Sequence, residues 1–122
     1  MIKYFFEIIT AKQFEDDVEY YIRKKKYKKI IDDIEAVTSE LEKGNLIGDS
    51  IPELSINYDN HAAKVKAANS DTKAGKSNDY RIIYYVVKGE KEIYLLTIYY
   101  KKEDNNIPPN KEIEVLVKEY CL

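Results

Sequence analysis

The chain contains one cysteine, one histidine, three prolines, four glycines and no tryptophan. Each scarcity excludes something. A lone cysteine, Cys121, cannot form a disulfide within the chain, which fits a reducing compartment. One cysteine and one histidine, His61, cannot build a zinc site or a Cys/His nucleophile pair. His61 reads as a loop residue, not a catalyst. The few glycines and prolines form no linker or low-complexity tail, and no internal repeat is present. No paired carboxylates stand at a spacing that suits acid–base work. No apolar run approaches membrane-spanning length, and the start, "MIKYFFEIITAKQFEDD", is a short apolar stretch broken by charge, not a signal peptide. The expectation is a cytoplasmic protein without a membrane partner.

At 122 residues the chain has room for a single domain, residues 1–122, with one core. Twelve tyrosines stand out. A Lys/Ile/Asn/Tyr-rich composition arises in AT-rich genomes without a functional cause; the functional alternative is a surface that stacks bases. The formal net charge is −2, but it is unevenly spread. From Ala62 to Lys102 there are 9 basic and 4 acidic residues, a net of +5, while the rest has 11 and 18, a net of −7. A positive face on an acidic body attracts a nucleic acid, an anionic membrane or an acidic protein.

The β-branched and aromatic run from Ile2 to Ile9 predicts a strand. "TAKQ" (Thr10 to Gln13) matches a capping box, so a helix should start there and run to about Lys24, burying Phe14, Val18 and Tyr21/Ile22. "RKKKYKK" (Arg23 to Lys29) joins two helices, and its lysines complement a helix C-terminus. A nucleic-acid contact is the other reading of that run. Tyr27, Ile30, Ile31, Ile34, Val37, Thr38 and Leu41 trace the stripe of a second helix, which Gly44 ends as a left-handed residue. The pair should form an antiparallel hairpin. Gly44 to His61 has no period and reads as a long connection. Strands follow over Ala62 to Asn69, Tyr80 to Lys88 and Glu92 to Lys101, the last two joined by the turn "KGEK". "IPPNKEIEVLVKEYCL" gives a final helix burying Ile113, Leu116, Val117 and Tyr120. The fold class is therefore α+β, in the order β-α-α-β-β-β-α. An antiparallel-rich sheet packs on an N-terminal helical hairpin, with a C-terminal helix.

The positive charge gathers in "KVKAANSDTKAGKSNDYRIIYYVV", Lys64 to Val87. Side chains alternate along a strand. Lys64 and Lys66 therefore share a face, as do Arg81, Ile83 and Tyr85, and as do Tyr99 and Lys101. If the helices cover the other face, Lys64, Lys66, Arg81 and Lys101 converge. "TKAGKS" ends like a phosphate-binding P-loop but lacks its first glycine and a following helix, so that reading fails. The remaining chemistry suits RNA. Cleavage through the substrate's own 2′-OH needs no metal, cofactor or protein nucleophile. It needs a base, positive groups around the phosphate and a proton donor. Arg and Lys stabilise developing charge. A lysine desolvated among cations can serve as base, and tyrosine can stack a base or give a proton.

"RIIYY" (Arg81 to Tyr85) and "IYLLTIYYKKE" (Ile93 to Glu103), after a basic strand and a Gly/Lys-containing loop, resemble the HigB-type branch of the RelE/ParE toxin superfamily of type II toxin–antitoxin systems. The resemblance covers roughly the last 60 residues. It implies a ribosome-dependent mRNA endonuclease, an mRNA interferase that arrests translation. Its partners would be mRNA, the ribosome and a cognate antitoxin, a small helix-turn-helix protein. Lys64 and Lys66 match the family's basic strand, Lys73 and Lys76 its loop cations, and Arg81 the arginine at the scissile phosphate. Lys101 matches the lysine of "Y-x-K-x-E", and Lys102 falls where some relatives carry an arginine. By this reading Arg81, Lys64, Lys66, Lys101 and Lys102 are catalytic, and Lys73, Lys76 and Tyr99 bind RNA. The loop reads "TKAGKSND" here, with Asp79 beside Tyr80. Two alternatives stay open: a ParE-like inhibitor of DNA gyrase without nuclease activity, or a weakly active relative kept as an antitoxin-binding partner.

Overall fold

The two long apolar runs, ending near Val87 and Tyr100, become the centre of a mixed sheet. The computed structural model describes residues 6–51, 60–72, 79–101 and 110–120. Their order is β1 (Glu7–Thr10), α1 (Lys12–Arg23), α2 (Ile30–Glu42), β2 (Asp49–Ile51), β3 (Asn60–Ala68), β4 (Asp79–Val87), β5 (Glu92–Tyr100) and α3 (Asn110–Tyr120). Among the described residues the sheet has five strands in the order β1-β5-β4-β3-β2. β1 lies parallel to β5 and the other neighbours are antiparallel. The fold is α+β, as composition and periodicity predict. No helix among the described residues is long and apolar enough to cross a membrane.

β4 is buried at every position from Tyr80 to Val86, because helices cover both faces of the sheet. On one face α1 contributes Phe14, Val18 and Tyr21, and α2 contributes Ile30, Ile34, Val37 and Leu41, over Val65, Ile82, Tyr84 and Ile98. On the other, α3 lays Ile113 and Val117 over Ile83, Tyr85, Leu96 and Tyr99. Each such aliphatic side chain contributes roughly 1.5–3 kcal/mol by leaving water. The sheet is thus sandwiched, not left bare on the side away from the hairpin. An extra residue in β5 at Leu96 shifts the register between Ile83 and Tyr84 and turns Leu96 toward α3.

Several expectations shift by a few residues, each for a local reason. Of the predicted strand from Ile2 to Ile9, residues 2–5 lie outside the described residues. The capping box does not form. Thr10 pairs with Leu95 in the sheet and the Ala11 N–H still donates to the Leu95 carbonyl at 3.0 Å, so α1 starts later. Thr10 Oγ1 instead donates to Glu15, and Gln13 Nε2 to Asp17. In α2, Ile31 is 47% exposed, off the buried stripe, while Asp33 is on it. Tyr27 precedes α2 and packs against the core from the connecting turn. Gly44 takes φ +93°, the left-handed C′ conformation its position predicts. The long connection holds β2, three residues too short to show a period, paired antiparallel to β3. At its entry Gly48 has φ +104°, and a Cβ there would stand 2.5 Å from the Lys64 carbonyl oxygen. His61 is not in a loop: it sits in β3 opposite Val86, where burial and the charge of Lys88 lower its pKa.

Candidate nucleic-acid interface

The face of the sheet that bears α3 also bears the basic residues. In the antiparallel register Lys66 stands opposite Arg81, and Arg81 opposite Tyr99. Directly opposed residues project from the same face, so these three form one row across β3, β4 and β5. Lys64 stands opposite Ile83 on one side and Asp49 of β2 on the other. At the other end of the row Asp79 opposes Ala68, and its carbonyl accepts the Lys101 N–H at 3.0 Å. Backbone register therefore brings Lys64, Lys66 and Arg81 to one face, and Lys101 follows β5 with its N–H on Asp79 at the end of that row.

Exposure then divides the set. Lys64, Lys66 and Lys101 are exposed. Arg81 is 8% exposed and forms an ion pair with Asp79, two residues earlier on the same strand face. Its charge is already countered within the chain, so an incoming phosphate must compete with a carboxylate. Tyr99 is 4% exposed and packs with Ile113 and Val117; with α3 seated, no base can stack on its ring. Burial raises the pKa of its hydroxyl, and the nearby Arg81 charge partly opposes the rise. Lys73, Lys76 and Lys102 lie outside the described residues, as do Ile107, Pro108 and Pro109.

The entry to the basic loop is anchored to α2. Asp33 accepts from the Ser70 N–H at 2.9 Å and from the Ser70 hydroxyl at 2.5 Å. In return Asp71 accepts the Lys29 N–H at 2.8 Å, satisfying one of the donors left open at the start of α2. Asn69 closes the turn, its side chain accepting from the Asp71 N–H and its carbonyl from Thr72. A buried acid on the α2 stripe is the sequence signal for this clamp: Asp33 lies three residues after Ile30 and four before Val37.

A second group of functional-looking residues escaped the sequence reading. β1 pairs with β5 only as far as Leu95, which leaves the later part of β5 as an edge. There α1 replaces a strand. Asp17 accepts from the Thr97 hydroxyl at 2.5 Å and the Ile98 N–H at 3.2 Å. The Tyr21 hydroxyl accepts the Tyr100 N–H at 2.7 Å. Burial raises the Asp17 pKa, against the pull of these hydrogen bonds. Nothing local to Asp17 or Tyr21 in the sequence announces this role; it follows from where β1 stops.

Among the described residues most tyrosines are core. Tyr21, Tyr80, Tyr84, Tyr85, Tyr99 and Tyr100 are buried, and Tyr21, Tyr27, Tyr80 and Tyr100 meet edge to face between the helices and the sheet. Burial pushes the Tyr84 hydroxyl pKa up to about 12, and that hydroxyl donates to the Ile47 carbonyl at 2.6 Å. Among the described residues no three His, Cys, Asp or Glu side chains gather closely enough to hold a metal ion. No protein-family model matches the chain, and no curated protein matches it.

Proposed function

We propose that the chain is the toxin of a type II toxin–antitoxin system. It would cut mRNA on the ribosome by metal-independent attack of the 2′-OH, in a RelE-like arrangement of strands and helices, until a cognate antitoxin covers the basic face. The observation that carries this reading is the cross-strand row Lys66–Arg81–Tyr99, with Lys64 on the same face and Lys101 bonded to Asp79 at its end. Cations on neighbouring strands lie about 5 Å apart, a spacing that lets several meet one phosphodiester and its neighbour. Lys64 and Lys66 sit at the solvent edge, where RNA would cover and desolvate them. Arg81 lies deeper and meets the phosphate whose charge grows as the 2′-oxygen attacks.

The Asp79–Arg81 pair favours a second reading, in which the face meets an antitoxin and cleaves little. The two readings separate on one experiment. The protein is expressed from a tight promoter in a bacterial host and mRNA 5′ ends are mapped, with Arg81→Ala in parallel. Removing Arg81 alone strands a largely buried carboxylate, which costs about 3–5 kcal/mol. The double variant Asp79→Asn/Arg81→Gln, checked by thermal melting, therefore controls for unfolding. New ends inside coding regions with the wild type only support the nuclease. Arrest without new ends shifts the reading to gyrase inhibition, tested by supercoiling with purified protein. Absence of both leaves the antitoxin-binding role. A fully toxic, folded double variant would remove Arg81 from the site.

A further inference from the structure

A cleft among the described residues lies away from the basic row. It opens between α1, the edge of β5 that α1 caps, and α3, with a volume of about 650 Å³. Asp16, Asp17, Tyr20, Glu112, Val115 and Leu116 are among its lining residues, and among the described residues no lysine or arginine lines it. Two large apolar side chains stand exposed at this cleft, Val115 at 56% and Tyr20 at 40%. Most of α3 is explained by the sheet beneath it, but Val115 is not. It points away from the face that Ile113 and Val117 bury. The floor is closed to a pairing strand, since Asp17 and Tyr21 already take the outward N–H groups of Ile98 and Tyr100.

We infer that this cleft docks a cationic, amphipathic segment of a partner protein, one that sets an apolar side chain between Tyr20 and Val115 and a Lys or Arg against Asp16 and Glu112. Charge complementarity selects the occupant. The carboxylates repel nucleic acid, and an acidic segment would meet the same repulsion. Asp16 already holds Lys12 in an exposed ion pair at 2.8 Å, which is worth little in water and yields readily to a better-placed cation. Glu112 lies in the first turn of α3, an exposed carboxylate on the side that faces α1 across the cleft. With the side-chain edge cap beneath it, the occupant adds no strand and binds through side chains. The inference is independent of the nuclease reading, because it concerns a different face.

The test is an amide NMR titration of the full chain with three probes: a soluble peptide alternating Lys and Leu at helical spacing, its Glu/Leu counterpart, and a single-stranded RNA oligonucleotide. The Lys/Leu peptide should shift the amides of Gln13, Tyr20, Glu112 and Val115, and the other two probes should leave them in place. Glu112→Lys, or Val115→Asp, should raise the peptide Kd at least about tenfold. Glu35→Lys, on the exposed side of α2, should change it little. Each outcome decides. No shifts in the cleft at millimolar Lys/Leu peptide, shifts there with the Glu/Leu peptide or RNA, or equal weakening by Glu35→Lys and Glu112→Lys would each overturn the assignment. The last would reduce the effect to general attraction to an acidic protein.

Discussion

At the scale of single residues, two aspartates govern how this molecule behaves, and both act through neighbours. Asp79 holds Arg81 from the same strand face. Asp79→Asn keeps the size and unpairs the buried guanidinium, which costs stability that thermal melting reads; in the folded variant, binding of a single-stranded RNA oligonucleotide should tighten. Its log-log salt slope should steepen by about 0.7, one further phosphate contact. An unchanged slope would mean that Arg81 stays out of reach of RNA even when unpaired. Asp17 works at the neighbouring strand, along the edge of β5. Burial raises its folded-state pKa above the ordinary aspartate value of 3.8, so the folded chain binds its proton more tightly than the unfolded chain does. The resulting stability is fully present below 3.8 and is lost as pH rises through the raised folded value. Asp17→Asn removes that loss while still accepting from Thr97 and Ile98. Denaturant unfolding should therefore show the variant gaining on the wild type as pH climbs from acid toward neutral. A difference that stays flat with pH would mean that Asp17 titrates alike in both states.

At the scale of elements, the period of the sequence is informative and the identity of the covering layer is not. Strand parity in β3 and β4 places Lys64, Lys66 and Arg81 together because side chains alternate whatever lies above them. The same parity is silent on what lies above. The stripe of α3 shows that Ile113 and Val117 are buried, but not that they are buried against Tyr99, which is why a stacking residue in the sequence becomes a core residue in the fold. The α2 stripe is legible in the same way, and its one polar member, Asp33, is the residue that reaches out of the helix to the basic loop. β2 is not legible, since three residues hold too few alternations to separate a strand from a turn. The capping box fails because sheet pairing at Thr10 and Ala11 outcompetes a local cap. α3 can be tested as a lid on the row beneath it. Ile113→Ala should cost about 2–5 kcal/mol of stability by leaving a cavity. It should also make Tyr99 accessible to a quencher of tyrosine fluorescence before global unfolding. Loss of stability without any gain in Tyr99 accessibility would show that α3 is not the element that covers that ring.

At the scale of the whole molecule, the net charge of −2 describes neither face. Lysines crowd one side of the sheet, and the α1/α3 cleft carries carboxylates with no lining cation among the described residues. At about 0.1 M salt, charges further apart than roughly 10 Å are screened from one another, so each face presents its own sign to a partner that has come close. This separates two accounts of any nucleic-acid binding. If affinity followed the charge of the whole chain, then Lys64→Gln/Lys66→Gln and Asp16→Asn/Glu112→Gln, which change the net charge by equal amounts in opposite senses, would have mirror-image effects. If it follows the local face, the lysine pair should lower the single-stranded RNA salt slope by about 1.4, two phosphate contacts, and the carboxylate pair should leave the slope where it is. Fluorescence anisotropy of a labelled oligonucleotide across a salt series measures both. Mirror-image slopes would remove the case for a basic interface on β3 and β4, and a slope moved only by the lysines would locate the nucleic acid on the row that strand register builds.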